Sequence, residues 1–189
     1  MQYSFFYGKA GKEMAVVIYF SRAGENLVNG KLQKIKDGNT KILAEKIAQY
    51  TGCPLYAIEP VSPYPNDYGT VMKQAKREQD KRIYPELKKQ SLILAEKEII
   101  FLGFPNWWGT YPMPVARFLA EHSLKNTVIY PFCTHEGSGF GSSIDDLRIA
   151  CPDSCIKKGL PVRGSRVVKA DTAVKHWLDH DYYQQQRKE

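Results

Sequence analysis

Three short stretches of this 189-residue chain combine residue types able to hold an anion and a flat apolar group. The first runs Ser21-Arg22-Ala-Gly24-Glu25-Asn26 and, after an excursion from Leu27 to Asp37, resumes as Gly38-Asn39-Thr40. Small hydroxyl and amide side chains with glycine let backbone N–H groups converge on a phosphate, and a helix starting there adds the positive end of its dipole. Asn39 or Thr40 would serve equally as a plain N-cap, so the two readings stand side by side. The Gly-Lys-Ser/Thr ending of a P-loop is absent. The excursion approaches the ~12–15 residues beyond which structureless loops become uncommon and often functional.

The second stretch is Gly103-Phe-Pro105-Asn106-Trp107-Trp108-Gly109-Thr-Tyr111-Pro-Met-Pro114. Adjacent indoles in a loop need either a core to enter or something flat and apolar to cover. One reading sends one tryptophan inward and lays the other on the sheet edge; a flat tricyclic ring for them to cover is the other. The third stretch, Thr134-His135-Glu136-Gly137-Ser138-Gly139-Phe-Gly141-Ser-Ser143, has alternate glycines that free the backbone to approach a planar ligand and present N–H donors to it. His135 alone reads as an ordinary loop histidine, and no side chain is required as an acid or base.

Positioning these loops falls to a repeating pattern. Short β-branched or aromatic runs occur at Ala15–Phe20, Leu55–Glu59, Glu98–Phe104 and Thr127–Thr134, with a fifth near Cys155–Val162 that glycine and proline interrupt. Helical spacing separates them. Ile42, Leu43, Ile47 and Ala48 share a face in 40–50, with Gly52 as a stop. Val115, Phe118 and Leu119 do so in 114–121; Ile144, Leu147 and Ile149 are the apolar set of 143–150. Val174, Trp177 and Leu178 mark a last helix over 171–181, and 67–82 reads as a helix after a proline-rich bend. Alternating strands and helices predict βαβ units and a parallel sheet of about five strands. In such sheets ligands sit beyond the carboxyl ends of the strands, so the loops leaving the first, third and fourth strands are expected to share one site.

Composition narrows the rest. A 43% hydrophobic and 25% charged chain reads as one globular domain over 14–182, with an extension over 1–13 and a polar tail over 183–189. No apolar run approaches the ~20 residues of a membrane helix, and the first residues lack the pattern of a secretory signal, which gives a cytoplasmic expectation. Cys53, Cys133, Cys151 and Cys155 lack the spacing of a zinc site and read as buried or half-buried thiols, with no metal assigned. The net charge of +7 is scattered over helix faces such as Lys73-Gln-Ala-Lys76-Arg77 with no groove-reading motif, so nucleic acid is not expected as a partner.

Taken together, Phe20-Ser21, Gly38-Asn39-Thr40, Pro105-Asn106-Trp107-Trp108-Gly109 and Thr134-His135-Glu136-Gly137-Ser138-Gly139-Phe140-Gly141 resemble, in order and spacing, the short flavodoxin-like branch of the flavodoxin family. The resemblance covers roughly 14–178. It implies a three-layer α/β sandwich with a five-stranded parallel sheet in the order 2-1-3-4-5 and FMN as cofactor. It also implies that Ser21, Asn39 and Thr40 bind the phosphate, with Arg22, Glu25 and Asn26 as helpers. Pro105, Asn106, Trp107, Trp108 and Gly109 would line one side of the isoalloxazine. Thr134, His135, Glu136, Gly137, Ser138 and Gly139 would border the ring and ribityl chain. The implied activity is electron transfer to redox proteins or small-molecule acceptors; an NAD(P)H-dependent quinone or nitro-compound reductase using bound FMN is the alternative. Two features depart from the family pattern: the phosphate loop is split by the Arg22–Asp37 excursion, and the chain is basic where electron-carrying flavodoxins are often strongly acidic. A phospho-receiver domain shares the strand order but needs an aspartate where Phe20-Ser21 or Phe104-Pro105 stand. The oligomeric state is not legible.

Overall fold

The computed structural model describes residues 15–92, 94 and 98–184. The expected extension over 1–13 and the end of the tail lie outside them. Five parallel tracks make the sheet: β4 (Leu55–Ala57), β1 (Ala15–Tyr19), β5 (Ile99–Pro105), β6 (Val128–His135), and a divided last track of β7 (Cys155–Ile156) and β8 (Leu160–Arg163). Reading that last pair as one strand returns the expected order 2-1-3-4-5.

Pro131 explains the division. Alternate residues of β6 face the last track, as the Cys155 N–H to Thr127 and Lys157 N–H to Ile129 bonds establish. By that alternation Pro131 faces it too, with no N–H to offer, so the ladder breaks opposite it. Gly159 fills the gap: a Cβ there would lie 2.4 Å from the Phe140 ring and 2.7 Å from the Pro131 carbonyl.

The central strands β1, β5 and most of β6 are apolar because both faces are covered. On one side Val16, Ile18, Phe20, Ile100, Leu102 and Phe104 pack under α3 (Met113–Glu121) and α4 (Ser143–Ala150). On the other, Val17, Tyr19, Ile99, Phe101, Tyr130 and Phe132 pack under α1 (Asn39–Thr51) and α5 (Asp171–Trp177). Leu43, Ala44 and Ile47 form the buried stripe of α1, and Gly52 (φ 70°) closes that helix through its N–H to Ala48. The helix α2 (Tyr68–Lys81) is bounded by Asp67, which accepts from the Thr70 N–H at 2.6 Å, and by left-handed Arg82. Its Lys73 and Arg77 are exposed and Lys76 pairs with Asp80, as a solvated face should.

Three expectations need correction. The excursion is not structureless: β2 (Gly24–Val28) and β3 (Lys31–Ile35) form an antiparallel hairpin through Asn29-Gly30, both left-handed (φ 51° and 75°). Ile149 is 79% exposed, because it lies about 200° around α4 from buried Leu147. Cys155 is exposed rather than tucked away, whereas burial pushes the thiols of Cys133 and Cys151 up to about 12 and about 11. Among the described residues no disulfide joins any of the cysteines.

Gly103, midway along β5, gives a direct test of how tightly the sheet is packed. A Cβ there would sit 2.1 Å from the ring of Phe132, itself fully buried. Gly103→Ala is expected to destabilise the fold by about 1–3 kcal/mol, read as a lower urea midpoint at unchanged slope. An unchanged midpoint would mean that this face yields without cost.

Candidate functional site

Strands β1, β5 and β6 end on the same edge of the sheet, and their following loops enclose a cleft of about 390 Å³. That volume is in the range of small-molecule sites. Its walls include Ser21 and Arg22 after β1, Asn39 and Thr40 at the start of α1, Pro105–Trp108 after β5, and Thr134–Glu136 at the end of β6.

The start of α1 is open towards this cleft. Gly38 is its N-cap residue and supplies no side chain. Ser21 Oγ accepts the Lys41 N–H at 3.0 Å, which leaves the N–H groups of Asn39 and Thr40 without a protein acceptor among the described residues. Thr40 Oγ1 is spent on Thr134 Oγ1 at 2.7 Å. The N-cap reading of Asn39 and Thr40 therefore does not hold: both lie inside the helix. Gly38 is required here, since a Cβ would fall 2.2 Å from Ser21 Oγ and 2.5 Å from the Arg22 carbonyl.

Asn106 joins the two loops of the opposite wall. Its Nδ2 donates to Gly139 O at 2.7 Å, its Oδ1 accepts from Gly109 N at 3.0 Å, and its own N–H reaches Thr134 O at 2.8 Å. Ser142 N–H donates to Gly109 O, and Thr110 Oγ1 to Asp146. Gly141 permits this join, because a Cβ would meet Gly109 O at 2.1 Å. Of the alternate glycines, Gly141 thus lets one loop approach the other, while nothing lies within 4 Å of a Cβ built at Gly139.

The tryptophans part company. Trp107 turns inward, edge-on to Phe20 (5.4 Å) and Tyr64 (5.2 Å). Trp107 and Thr110 exchange both backbone bonds around left-handed Trp108 (φ 53°) and Gly109 (φ 87°). A bulky residue in that conformation costs of order 1–3 kcal/mol, and such strain gathers at functional sites. It holds Trp108 outward, 51% exposed, with Nε1 donating to Met72 O at 3.0 Å.

The hairpin crosses the cleft mouth. Arg22 anchors its base: the guanidinium donates to the carbonyls of Glu25, Pro65 and Asn66, the last at 2.6 Å. Burial lowers the proton affinity of this arginine, countered by Glu25. Its guanidinium donors are thus directed at backbone carbonyls that anchor the hairpin, while the residue still lines the cleft. At the tip, Asn29 N–H donates to Glu136 Oε2 at 3.2 Å. The hairpin register directs the peptide groups of Glu25 and Leu27 away from β3. Those of Glu25 go to Asn66 and Arg22; that of Leu27, which lines the cleft, has no protein partner among the described residues.

Glu136 carries a further unsatisfied group, since its Oε1 is buried without a hydrogen bond among the described residues. Gly164 makes room for it: a Cβ there would lie 2.7 Å from Glu136 Oε1 and 2.4 Å from Asn39 Nδ2. His135 Nδ1 accepts from Gly137 N at 3.0 Å, so its proton sits on Nε2. Burial, then the nearby Arg163 charge, lowers its affinity for a second proton.

The expected residues Ser21, Arg22, Asn26, Asn39, Thr40, Pro105, Asn106, Trp107, Trp108, Thr134, His135 and Glu136 line this cleft. Glu25, Gly109, Gly137, Ser138 and Gly139 do not. Glu25 takes the Tyr68 N–H and the four loop residues hold one another and their neighbours, so they build the wall from behind. Leu27, Tyr68, Met72 and Gly164 line it unforeseen. The Asn29-Gly30 pair, a strong hairpin signal, would have brought Leu27 in; nothing local marks Gly164. Among the described residues there is no cluster of three or more metal-binding side chains and no helix long and apolar enough to cross a membrane.

A sequence profile described as flavodoxin matches residues 16–181. Comparison with curated proteins found no match. Among solved structures, one assigned as a flavoprotein from Bacteroides eggerthii is 27% identical, with a TM-score of 0.65, covering 89% of this chain and 97% of its own. A second, from Bacteroides uniformis, is 22% identical with a TM-score of 0.70, covering 88% and 98%. A flavoprotein from Lactobacillus acidophilus, solved in complex with FMN, is 18% identical with a TM-score of 0.60, covering 84% and 98%. The matched span takes in every element that walls the cleft, and this chain belongs to the flavodoxin family.

Proposed function

We propose that the cleft holds FMN and that the protein works in electron transfer. The observation that carries this reading is the chemistry of what the cleft leaves unsatisfied. Two backbone N–H donors at an open helix start suit a phosphate. Beside them Glu136 Oε1, an acceptor lacking a donor, suits a ribityl hydroxyl. Further along, Trp107 and Trp108 offer apolar ring surface. Phosphate, polyol and flat ring in that order describe FMN, and membership of the flavodoxin family supports the same ligand.

In this reading Ser21, Asn39 and Thr40 bind the phosphate, Glu136 orients the ribityl chain, and Asn106, the tryptophans and His135 surround the ring. Arg22 and Asn26 act through the hairpin they stabilise. FMN supplies one- and two-electron chemistry when bound. The chain's part is to exclude water with the Trp108 indole and to keep a neutral imidazole donor, His135 Nε2, at the edge.

Purification tests this reading directly. The isolated protein should be yellow, or its apo form should take up added FMN. A colourless protein that ignores FMN ends the reading, and rapid NAD(P)H turnover with a quinone would move it to a reductase. Riboflavin, which lacks the phosphate, is expected to bind at least ~100-fold more weakly, since charge-assisted hydrogen bonds contribute about 1.5–3 kcal/mol each; calorimetry measures the difference. Trp108→Ala should weaken FMN binding far more than Trp177→Ala, whose indole lies buried across the sheet and should act on stability. Gly164→Ala should weaken FMN with little change in unfolding midpoint, because its methyl displaces Asn39 and Glu136. Equal affinity in the wild type and Gly164→Ala would remove Glu136 from the site.

A further inference from the structure

Glu78 is a carboxylate that the proposed site does not use. It lies on the inner face of α2, 7% exposed, where an unpaired charge would be costly. Both oxygens act as acceptors: Tyr64 O–H donates to Oε2, and Gln74 Nε2 donates to Oε1 at 2.8 Å. Tyr64 comes from the proline-rich bend before α2. Its ring stands 5.2 Å from that of Trp107 at 84°, and 5.9 Å from Phe20. Trp107 lines the cleft. Carboxylate, phenol and indole therefore form an unbroken series from the interior to the redox ligand's site. Among the described residues no comparable series serves Trp108, whose Nε1 is bonded to a backbone carbonyl.

We propose that Tyr64 and Glu78 are a proton-coupled relay that refills Trp107 after it loses an electron. An oxidised phenol is a strong acid, so tyrosine gives up an electron readily only when a base takes the proton in the same step. Glu78 Oε2 already holds that hydrogen bond. Burial raises the affinity of Tyr64 for its proton, followed by the bond to Glu78, so the phenol stays protonated until oxidation.

The step balances within the chain. A one-electron oxidant in the cleft takes one electron from Trp107, leaving the indole radical cation. Tyr64 passes one electron to Trp107 while its O–H bond breaks and the proton joins Glu78 Oε2. Trp107 is then restored, with a neutral tyrosyl radical beside a carboxylic acid. When the electron returns from the cleft to Tyr64, the proton returns with it, and nothing is consumed. Under the FMN reading, on which this part rests, the oxidant is the light-excited flavin, and the relay is a non-destructive outlet for its energy.

Flash excitation of the FMN-loaded protein, followed by transient absorption, tests the relay. In the wild type the indole radical should give way to a neutral tyrosyl radical, more slowly in D2O. Tyr64→Phe should leave the indole radical to persist with no isotope effect. Glu78→Gln keeps an oxygen to accept the Tyr64 hydrogen bond but removes the base, and should lower the tyrosyl yield at least ~tenfold, about 1.4 kcal/mol in barrier. A wild type that binds FMN yet forms no tyrosyl radical overturns the relay, as does an undiminished yield in Glu78→Gln. Pulse radiolysis of the apo protein with azide radicals separates the two readings. An indole-to-tyrosine transfer phase that disappears in Tyr64→Phe upholds the relay even if FMN fails to bind, and its persistence in that variant refutes it.

Discussion

Everything in the cleft depends on how Thr134 closes the end of β6. Its hydroxyl meets Thr40 Oγ1 from α1 at 2.7 Å in a buried bond, and its carbonyl takes the Asn106 N–H at 2.8 Å. One residue thereby sets the open start of α1 and the tryptophan loop at fixed distances from the same strand. The parallel register places Pro105 opposite Thr134, so the two loops diverge from a common line. Moving β6 by one residue would turn Thr134 to the other face and undo both contacts.

The sheet and the cleft are stabilised by different means. Beneath the strands, apolar packing on two faces is dense enough that Gly103 has no room for a methyl group. Above them, polar groups bind wall to wall: Asn106 to Gly139, Ser142 to Gly109, Arg22 to the bend before α2. Loops held by side-chain bonds keep their shape without filling the space between them, which leaves an open cleft over a close-packed core. Asn39, Thr40, Leu27 and Glu136, whose backbone or carboxylate groups lack a protein partner among the described residues, all line that space.

Much of this was legible in the sequence, and its limits have physical causes. Buried parallel strands need apolar residues at every position, so the runs at 15–20, 98–104 and 127–134 announced themselves. Chain order then dictated which loops converge. Gly38 was visible as part of a Gly-Asn-Thr string, although its reason, close approach to Ser21, was not. The hairpin was missed because its strand residues, Lys31, Gln33 and Lys34 among them, are exposed and lack the apolar alternation of a half-buried strand; only Asn29-Gly30 betrayed it. The anchoring role of Arg22 was hidden because two of its acceptors, Pro65 and Asn66, are distant in sequence. Gly164 meets Asn39 and Glu136 only in three dimensions, and no local pattern encodes such a contact.

The proposed function turns on whether the free N–H groups at the start of α1 receive the phosphate of a bound flavin nucleotide. The most direct measurement is the 1H–15N spectrum of the apo protein titrated with FMN and, separately, with riboflavin. FMN should move the Asn39 and Thr40 amides strongly downfield, while riboflavin leaves them near their apo positions and shifts only residues around the ring. Amides of Asn39 and Thr40 that stay unmoved by saturating FMN would rule out phosphate binding at this helix start.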